Sequence, residues 1–163
     1  MTAMSPTLQP ENQRGEVGAL SPIVRIIDGD TVVIDRNNAT ETIRLIGVDT
    51  PELHHPTKPV QCFAREAAAY ITSLLKDRSV RVVADPTQDS HDKYGRTLAY
   101  LYRDDGLFIN KSLIEEGYGY EYTYEVPYVY QKEFKAAQTD AREQQKGLWA
   151  PNTCNGKTDL TLP

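Results

Sequence analysis

Arg44-Leu45-Ile46-Gly47-Val48-Asp49-Thr50-Pro51-Glu52 is the stretch whose reading decides the fold and the chemistry. Ile43, Leu45 and the Ile46-to-Val48 run are β-formers, so the segment begins as a strand, and Gly47 permits a bend or a close backbone approach. Pro51 cannot donate a ladder hydrogen bond and biases the residue before it away from helix, so the strand stops there. Two carboxylates three residues apart, Asp49 and Glu52, emerge at that stop, with Arg44 five residues upstream of Asp49. Carboxylate oxygens suit a hard cation such as Ca²⁺ or Mg²⁺, and a guanidinium suits phosphate.

Working outward, Ile23–Ile27 and Thr31–Ile34 read as strands joined by the turn Asp28-Gly29-Asp30, in which Gly29 offers positive φ. A second turn at 35–38 leads into a third strand, Glu41–Val48, so residues 23–48 predict an antiparallel meander. Residues 53–61 form a proline-containing loop. Phe63, Ala67, Tyr70, Ile71, Leu74 and Leu75 then fall on one face of a helix over about 63–76. Ser79–Ala84 and Thr97–Tyr102 read as two more strands around a polar loop at 85–95. Asn110 is placed to cap a short helix ending at Gly117, and a last helix is expected from near Pro127 to Gly147, burying Tyr130, Phe134, Ala137 and Ala141. The pattern predicts an α+β chain: a five-stranded antiparallel OB-fold barrel with three helices packed outside. Residues 1–21 are expected to be a disordered leader, 22–157 one domain, and 158–163 a tail.

Eighteen basic residues against twenty-three acidic ones give a net charge of −5, which argues against nucleic-acid binding by bulk charge but not against a local basic cleft. The absence of any run of about 18 apolar residues predicts no membrane span. A monomer is expected. Cys62 and Cys154 are either two buried thiols or a bridge, and a bridge over that span would stabilise by about 4 kcal/mol in the chain-entropy model. A bridge would also place the protein in an oxidising compartment. The start of the chain is polar, so the expectation is a signal peptide removed before residue 1.

Each candidate site residue has a bland reading when taken alone. Asp30 is a turn-former, Asp49 a strand-end acid, Glu52 a loop acid, Arg44 a strand cation and Arg96 a loop cation. The combination carries the weight. If strands two and three pair across the short turn, the two carboxylates can reach one point, and with the Thr50 carbonyl they can share one hard cation with room for waters. Glu52 is then a candidate general base, and Arg44 and Arg96 can stabilise charge that builds on a phosphodiester. Lys93 and Tyr94 in Asp92-Lys93-Tyr94-Gly95-Arg96 suit phosphate gripping and base stacking, and the alternation of Tyr118, Tyr120, Tyr122 and Tyr124 suggests one extended tyrosine face. His54, His55 and His91 lack metal-ligand spacing.

Three motifs in order carry a resemblance: Ile27-Asp28-Gly29-Asp30-Thr31, the 44–52 stretch, and Asp92-Lys93-Tyr94-Gly95-Arg96-Thr97-Leu98-Ala99-Tyr100. Over roughly residues 22–150, including the Gly147-Leu148-Trp149 close, the chain resembles the staphylococcal nuclease (thermonuclease) family. That resemblance implies an OB-fold enzyme that uses calcium (Ca²⁺) and hydrolyses DNA and RNA with little sequence preference. It further implies cleavage of the 5′ P–O bond, leaving 3′-phosphate ends. By position it implies Asp30, Asp49 and Thr50 as metal ligands, and Glu52, Arg44 and Arg96 as catalytic residues. Lys93, Tyr94, Tyr122 and Tyr124 would be substrate contacts. It also implies a Cys62–Cys154 bridge and secretion. The alternative is a non-catalytic nucleic-acid or protein-binding module of the same fold, but such modules typically lose the acid cluster that this chain keeps.

Overall fold

The computed structural model describes residues 18–158, so most of the expected leader and residues 159–163 of the expected tail lie outside the described residues. Two positions assigned to those flanks lie within the fold. Ser21 opens the first strand, and Thr158 is buried, with its carbonyl accepting the Cys62 N–H.

The strands are β1 (Ser21–Asp28), β2 (Thr31–Arg36), β3 (Ala39–Leu45), β4 (Val48–Asp49), β5 (Ser79–Val83), β6 (Thr97–Arg103) and β7 (Tyr120–Glu121). The helices are α1 (Ala64–Leu75), α2 (Ile109–Glu115) and α3 (Gln131–Glu143), followed by a 3-10 turn at Gly147–Trp149. Five strands close a barrel in the order β1-β2-β3-β6-β5, and β4 pairs with β7 in a small separate ribbon. The meander forms as expected. The two-residue turn between β2 and β3 is made by Asn37 and Asn38, both at positive φ (55° and 62°), the geometry that matches the twist of flanking strands.

Five expectations change. The barrel is mixed, not wholly antiparallel: β3 and β6 run parallel, pairing Ile43 with Thr97 and Leu45 with Ala99. Parallel neighbours need a long crossover, which the intervening α1 and β5 provide. The third strand does not run unbroken to Val48. It leaves the barrel at Ile46-Gly47, where Gly47 takes φ +82° and an added Cβ would lie 2.7 Å from the Phe134 and Tyr128 rings. Gly29 is not among the glycines at positive φ. It is needed for space, since a Cβ there would meet Thr50 Oγ1 at 2.8 Å and Ala67 Cβ at 2.9 Å.

Asn110 is not a cap but a fully buried member of α2. Its Oδ1 accepts the Leu101 N–H (2.9 Å), and its Nδ2 donates to the carbonyls of Ile46 (2.9 Å) and Ala99 (3.2 Å). Finally, α3 starts at Gln131, four residues after Pro127, and ends before Gly147, which opens the 3-10 turn. Its buried face is Phe134, Ala137 and Ala141, with Tyr130 partly buried just ahead of it.

The core fills the barrel with Val32, Ile34, Ile43, Leu45 and Leu101, then continues under α1 and α2 through Ile71, Leu75, Leu113 and Ile114. Cys62 and Cys154 are joined as a disulfide, with Cα atoms 5.9 Å apart and 92 positions between them in sequence.

Candidate active site

The site is built where the β3 chain leaves the barrel. Arg44 lies near the end of β3, opposite Thr31 on β2. Its Nη1 donates to the carbonyls of Leu45 and Val48, both at 2.7 Å, across the Gly47 bend. This fixes the guanidinium and turns Nη2 toward Asp30 (3.4 Å) and Asp49 (3.5 Å). Asp30 is buried at the tip of the β1–β2 turn. Its carboxylate accepts from Thr31 Oγ1 (2.8 Å) and from the Thr50 N–H (3.0 Å), tying the turn to the segment after β4. Asp30 therefore meets Arg44 and Asp49, which lie 14 and 19 residues further along the chain, and Thr50 flanks the point where they meet.

The acids crowd one another. Burial first, then the charges of Glu52 and Asp30, push Asp28 up to about 6, against the opposing pull of His54 and the Leu53 N–H. Burial and the Asp30 charge push Asp49 up to about 6 as well, with Arg44 opposing and Glu52 adding to the rise. Half of the Asp49 side chain faces solvent, so water screens part of that repulsion. Asp28 was missed in the sequence, where Asp28-Gly29-Asp30 reads as a turn. The signal was the doubled aspartate around a glycine, one acid on each side of the same tip.

Among the described residues no three His, Cys, Asp or Glu side chains form a ready metal cluster. The donor set nevertheless fits a hard divalent ion that keeps several waters: the Asp30 and Asp49 carboxylates offer only oxygen donors, and mutual repulsion of the acids calls for positive charge. No hydrogen bond or salt bridge among the described residues engages the Glu52 carboxylate. Its backbone N–H donates to Gln61 Oε1 at 2.6 Å.

Arg44 shares a cleft of about 850 Å³ with Arg96, Lys93, Tyr94, Tyr122 and Tyr124. The parallel β3–β6 pairing supplies both arginines: Arg44 faces Leu98 in register, and Arg96 immediately precedes Thr97 at the start of β6. Asp92 holds Arg96 through its Nε (2.7 Å) and its backbone N–H (2.9 Å). Tyr94 is 71% exposed, with Lys93 and Arg96 both over its ring (5.1 and 5.2 Å). The tyrosines do not form one face. Tyr118 stacks on Tyr70 at 4.1 Å, and Tyr120 packs edge-on against Trp149, while Tyr122 and Tyr124 turn to the cleft. The Tyr122 N–H donates to the Gly47 carbonyl at 3.0 Å, continuing the β4–β7 pairing, and the Tyr122 ring lies 5.9 Å from the Arg44 guanidinium carbon. The histidines join no metal cluster among the described residues; His55 and His91 bond locally to Thr57 and Ser90.

A small mixed barrel with Asp30 and Asp49 against Arg44, and with Arg44 and Arg96 lining one cleft, defines the class as an OB-fold with a mixed acid and guanidinium site. Comparison with known sequences narrows the class. The family model described as staphylococcal nuclease homologue matches residues 42–151. The chain is 37% identical over 128 residues to the thermonuclease of Staphylococcus hyicus, covering 78% of this chain and 74% of that protein. It is 39% identical over 127 residues to the thermonuclease of Staphylococcus intermedius, with the same coverage. It is 33% identical over 127 residues to endonuclease YncB of Bacillus subtilis, covering 77% of this chain and 59% of that protein. This chain belongs to the staphylococcal nuclease family.

Proposed function

We propose that this protein is a calcium-dependent nuclease that hydrolyses phosphodiester bonds in DNA and RNA with little sequence preference. The observation that carries the reading is the Arg44 guanidinium. Two backbone carbonyls anchor it, its Nη2 faces Asp30 and Asp49, and it lines the cleft that also holds Arg96. Family membership and relatives named thermonuclease and endonuclease support the activity.

In this reading Asp30, Asp49 and the Thr50 carbonyl hold the cation, and calcium matches their oxygen-only chemistry and small charge count. When bound, the ion supplies positive charge at the scissile phosphate. Glu52 takes the proton from the attacking water. The P–O5′ bond breaks in line with that attack, leaving a 3′-phosphate and a free 5′-hydroxyl. Arg44 and Arg96 bind the phosphate oxygens, whose charge grows in the transition state. Because both guanidinium groups are already held, little reorganisation is needed. Lys93 grips a neighbouring phosphate, and Tyr94, Tyr122 and Tyr124 offer rings on which bases stack without regard to identity. The enzyme acts as a monomer in an extracytoplasmic setting; the joined cysteines support the latter. No helix of the described residues is long and apolar enough to cross a membrane.

The test is plasmid and RNA degradation with end-group analysis, with and without a chelator. Cleavage should vanish in EGTA, return with calcium and yield 3′-phosphate ends. Glu52→Gln should slow turnover by about two orders of magnitude or more, the typical scale of a lost general base. Undiminished cleavage in chelator, or wild-type turnover in Glu52→Gln, would refute the mechanism.

A further inference from the structure

The loop between β4 and α1 carries Glu52 at its start, and residues 54–60 are exposed. Buried Thr50 and Pro51 lead into Glu52, and just after it the Leu53 N–H donates to Asp28 Oδ1 at 3.3 Å. One residue grips Glu52 itself. Gln61 Oε1 accepts the Glu52 N–H at 2.6 Å, and the Gln61 N–H donates to the Glu52 carbonyl at 3.1 Å. Both backbone groups of Glu52 are thus gripped by a residue nine positions later.

Gln61 is itself fixed from behind. Its carbonyl accepts the Ala64 N–H at 3.1 Å, at the first turn of α1. Its neighbour Cys62 is bonded to Cys154, and the Cys62 N–H donates to the Thr158 carbonyl at 3.0 Å. The next residue, Phe63, sits at φ +73° with its ring 5.4 Å from that of Tyr118. The other end of the bridge is equally tied. Cys154 is fully buried, and the Gly156 carbonyl accepts from Tyr120 Oη at 2.8 Å. Tyr120 is the β7 partner of Asp49. The contacts run as a closed circuit from Glu52 through Gln61, the bridge, residues 154–158 and Tyr120 back to Asp49.

We propose that Gln61 is a positioning residue for Glu52, and that the Cys62–Cys154 bridge holds Gln61 in place. The inference rests on the reading of Glu52 as the base. A displacement of about 1 Å at a reacting group can cost on the order of a hundredfold in rate. Removal of the clamp therefore acts on turnover and not on substrate affinity, because the arginines, Lys93 and the tyrosines that bind nucleic acid are held by other contacts.

The experiment measures kcat and KM on a short defined DNA substrate with calcium. The variants are Gln61→Met, which keeps the length but removes the acceptor, and Cys62→Ala/Cys154→Ala. Each is made in the wild-type and the Glu52→Gln backgrounds, at a temperature where circular dichroism shows the variant folded. Gln61→Met should lower kcat by about tenfold or more with KM within about twofold, and the cysteine pair should behave alike. Neither should slow the Glu52→Gln enzyme further. If Glu52→Gln is slow but Gln61→Met turns over within about twofold of wild type, the clamp is overturned and the nuclease reading stands. Equal losses in both backgrounds also overturn it, since Gln61 would then act elsewhere. Wild-type turnover in Glu52→Gln overturns the base assignment itself.

Discussion

Replacing Asn110 by alanine separates two roles that predict different magnitudes. A residue that caps a short helix loses about 1 kcal/mol on truncation to alanine. Asn110 is instead fully buried and bridges three backbone groups of two other segments. Truncation leaves the Ala99 carbonyl satisfied by the Ile46 N–H at 3.0 Å, but strips the Leu101 N–H and the Ile46 carbonyl of the partners described here. Two buried polar groups left unpaired cost about 1–3 kcal/mol each, so the loss should be about 4 kcal/mol. For a chain of this size each kcal/mol moves Tm by about 2–4 °C, which predicts a fall of about 8–16 °C. Urea unfolding followed by circular dichroism, with the m-value checked for constancy, measures the free energy, and calorimetry measures Tm. A loss near 1 kcal/mol would refute the buried-bridge reasoning. Because Ile46 opens the bend that aims Arg44 and Asp49, the variant should also lose turnover at temperatures where it stays folded.

Other perturbations test other parts. Cys62→Ala/Cys154→Ala should lower stability by about 4–5 kcal/mol, since the bridge closes a loop of nearly a hundred residues; thermal melts that match the oxidised wild type would contradict this. Gly47→Ala should destabilise by several kcal/mol, on the order of an overpacked core combined with a disallowed φ, and a folded variant of unchanged Tm would show that the ring contact yields easily. Asp85 provides a pH test. Burial alone would raise its carboxyl, but hydrogen bonds from Thr87, Tyr100 and Val129 outweigh that and hold it below the ordinary 3.8. A folded value below the unfolded one contributes stability that is present above about pH 4 and is lost as pH falls through the folded value. The stability gap between wild type and Asp85→Asn, read by urea melts, should therefore be widest above pH 5 and narrow toward pH 2. A gap that widens in acid would reverse the sign. Tyr94→Ala and Tyr122→Ala should raise KM on single-stranded DNA by an amount worth about 1–3 kcal/mol per lost stack; equal KM values would remove those rings from binding.

Much of the fold was legible because its signals are local. Runs of β-formers and the turns at 28–30 and 35–38 predict the meander, and the stripe from Phe63 to Leu75 predicts α1. What failed to show was decided by distant contacts. Nothing near Asn110 distinguishes a cap from a buried bridge, since its partners Ile46 and Leu101 are supplied by other strands. The break at Gly47 depends on where Phe134 and Tyr128 come to rest, and the direction of β6 depends on the whole crossover. At the site, Arg44, Asp49 and Glu52 stand out in the sequence because they fall within nine residues around one strand end, whereas Asp30 and Arg96 approach Arg44 through the β2–β3 and β3–β6 pairings. Asp28 was hidden by its turn-forming neighbours. The division of the tyrosines was hidden too, because their partners, Tyr70 for Tyr118, Trp149 for Tyr120 and Arg44 for Tyr122, lie far off in sequence.

The covalent link between residues 62 and 154 makes a ring that contains α1, β5, β6, α2, β7 and α3 but leaves the β1–β3 meander outside it. A protease that nicks the exposed Lys93–Gly95 tip of the loop between β5 and β6 therefore cuts a circle and not a line. The halves stay on one molecule, run together on a gel without thiol, and part only when the sulfurs are separated. Survival after damage in a protease-rich milieu is thus a property of where the ring is drawn, and any single break within it leaves Asp30, Arg44 and Glu52 on the same connected chain as Arg96.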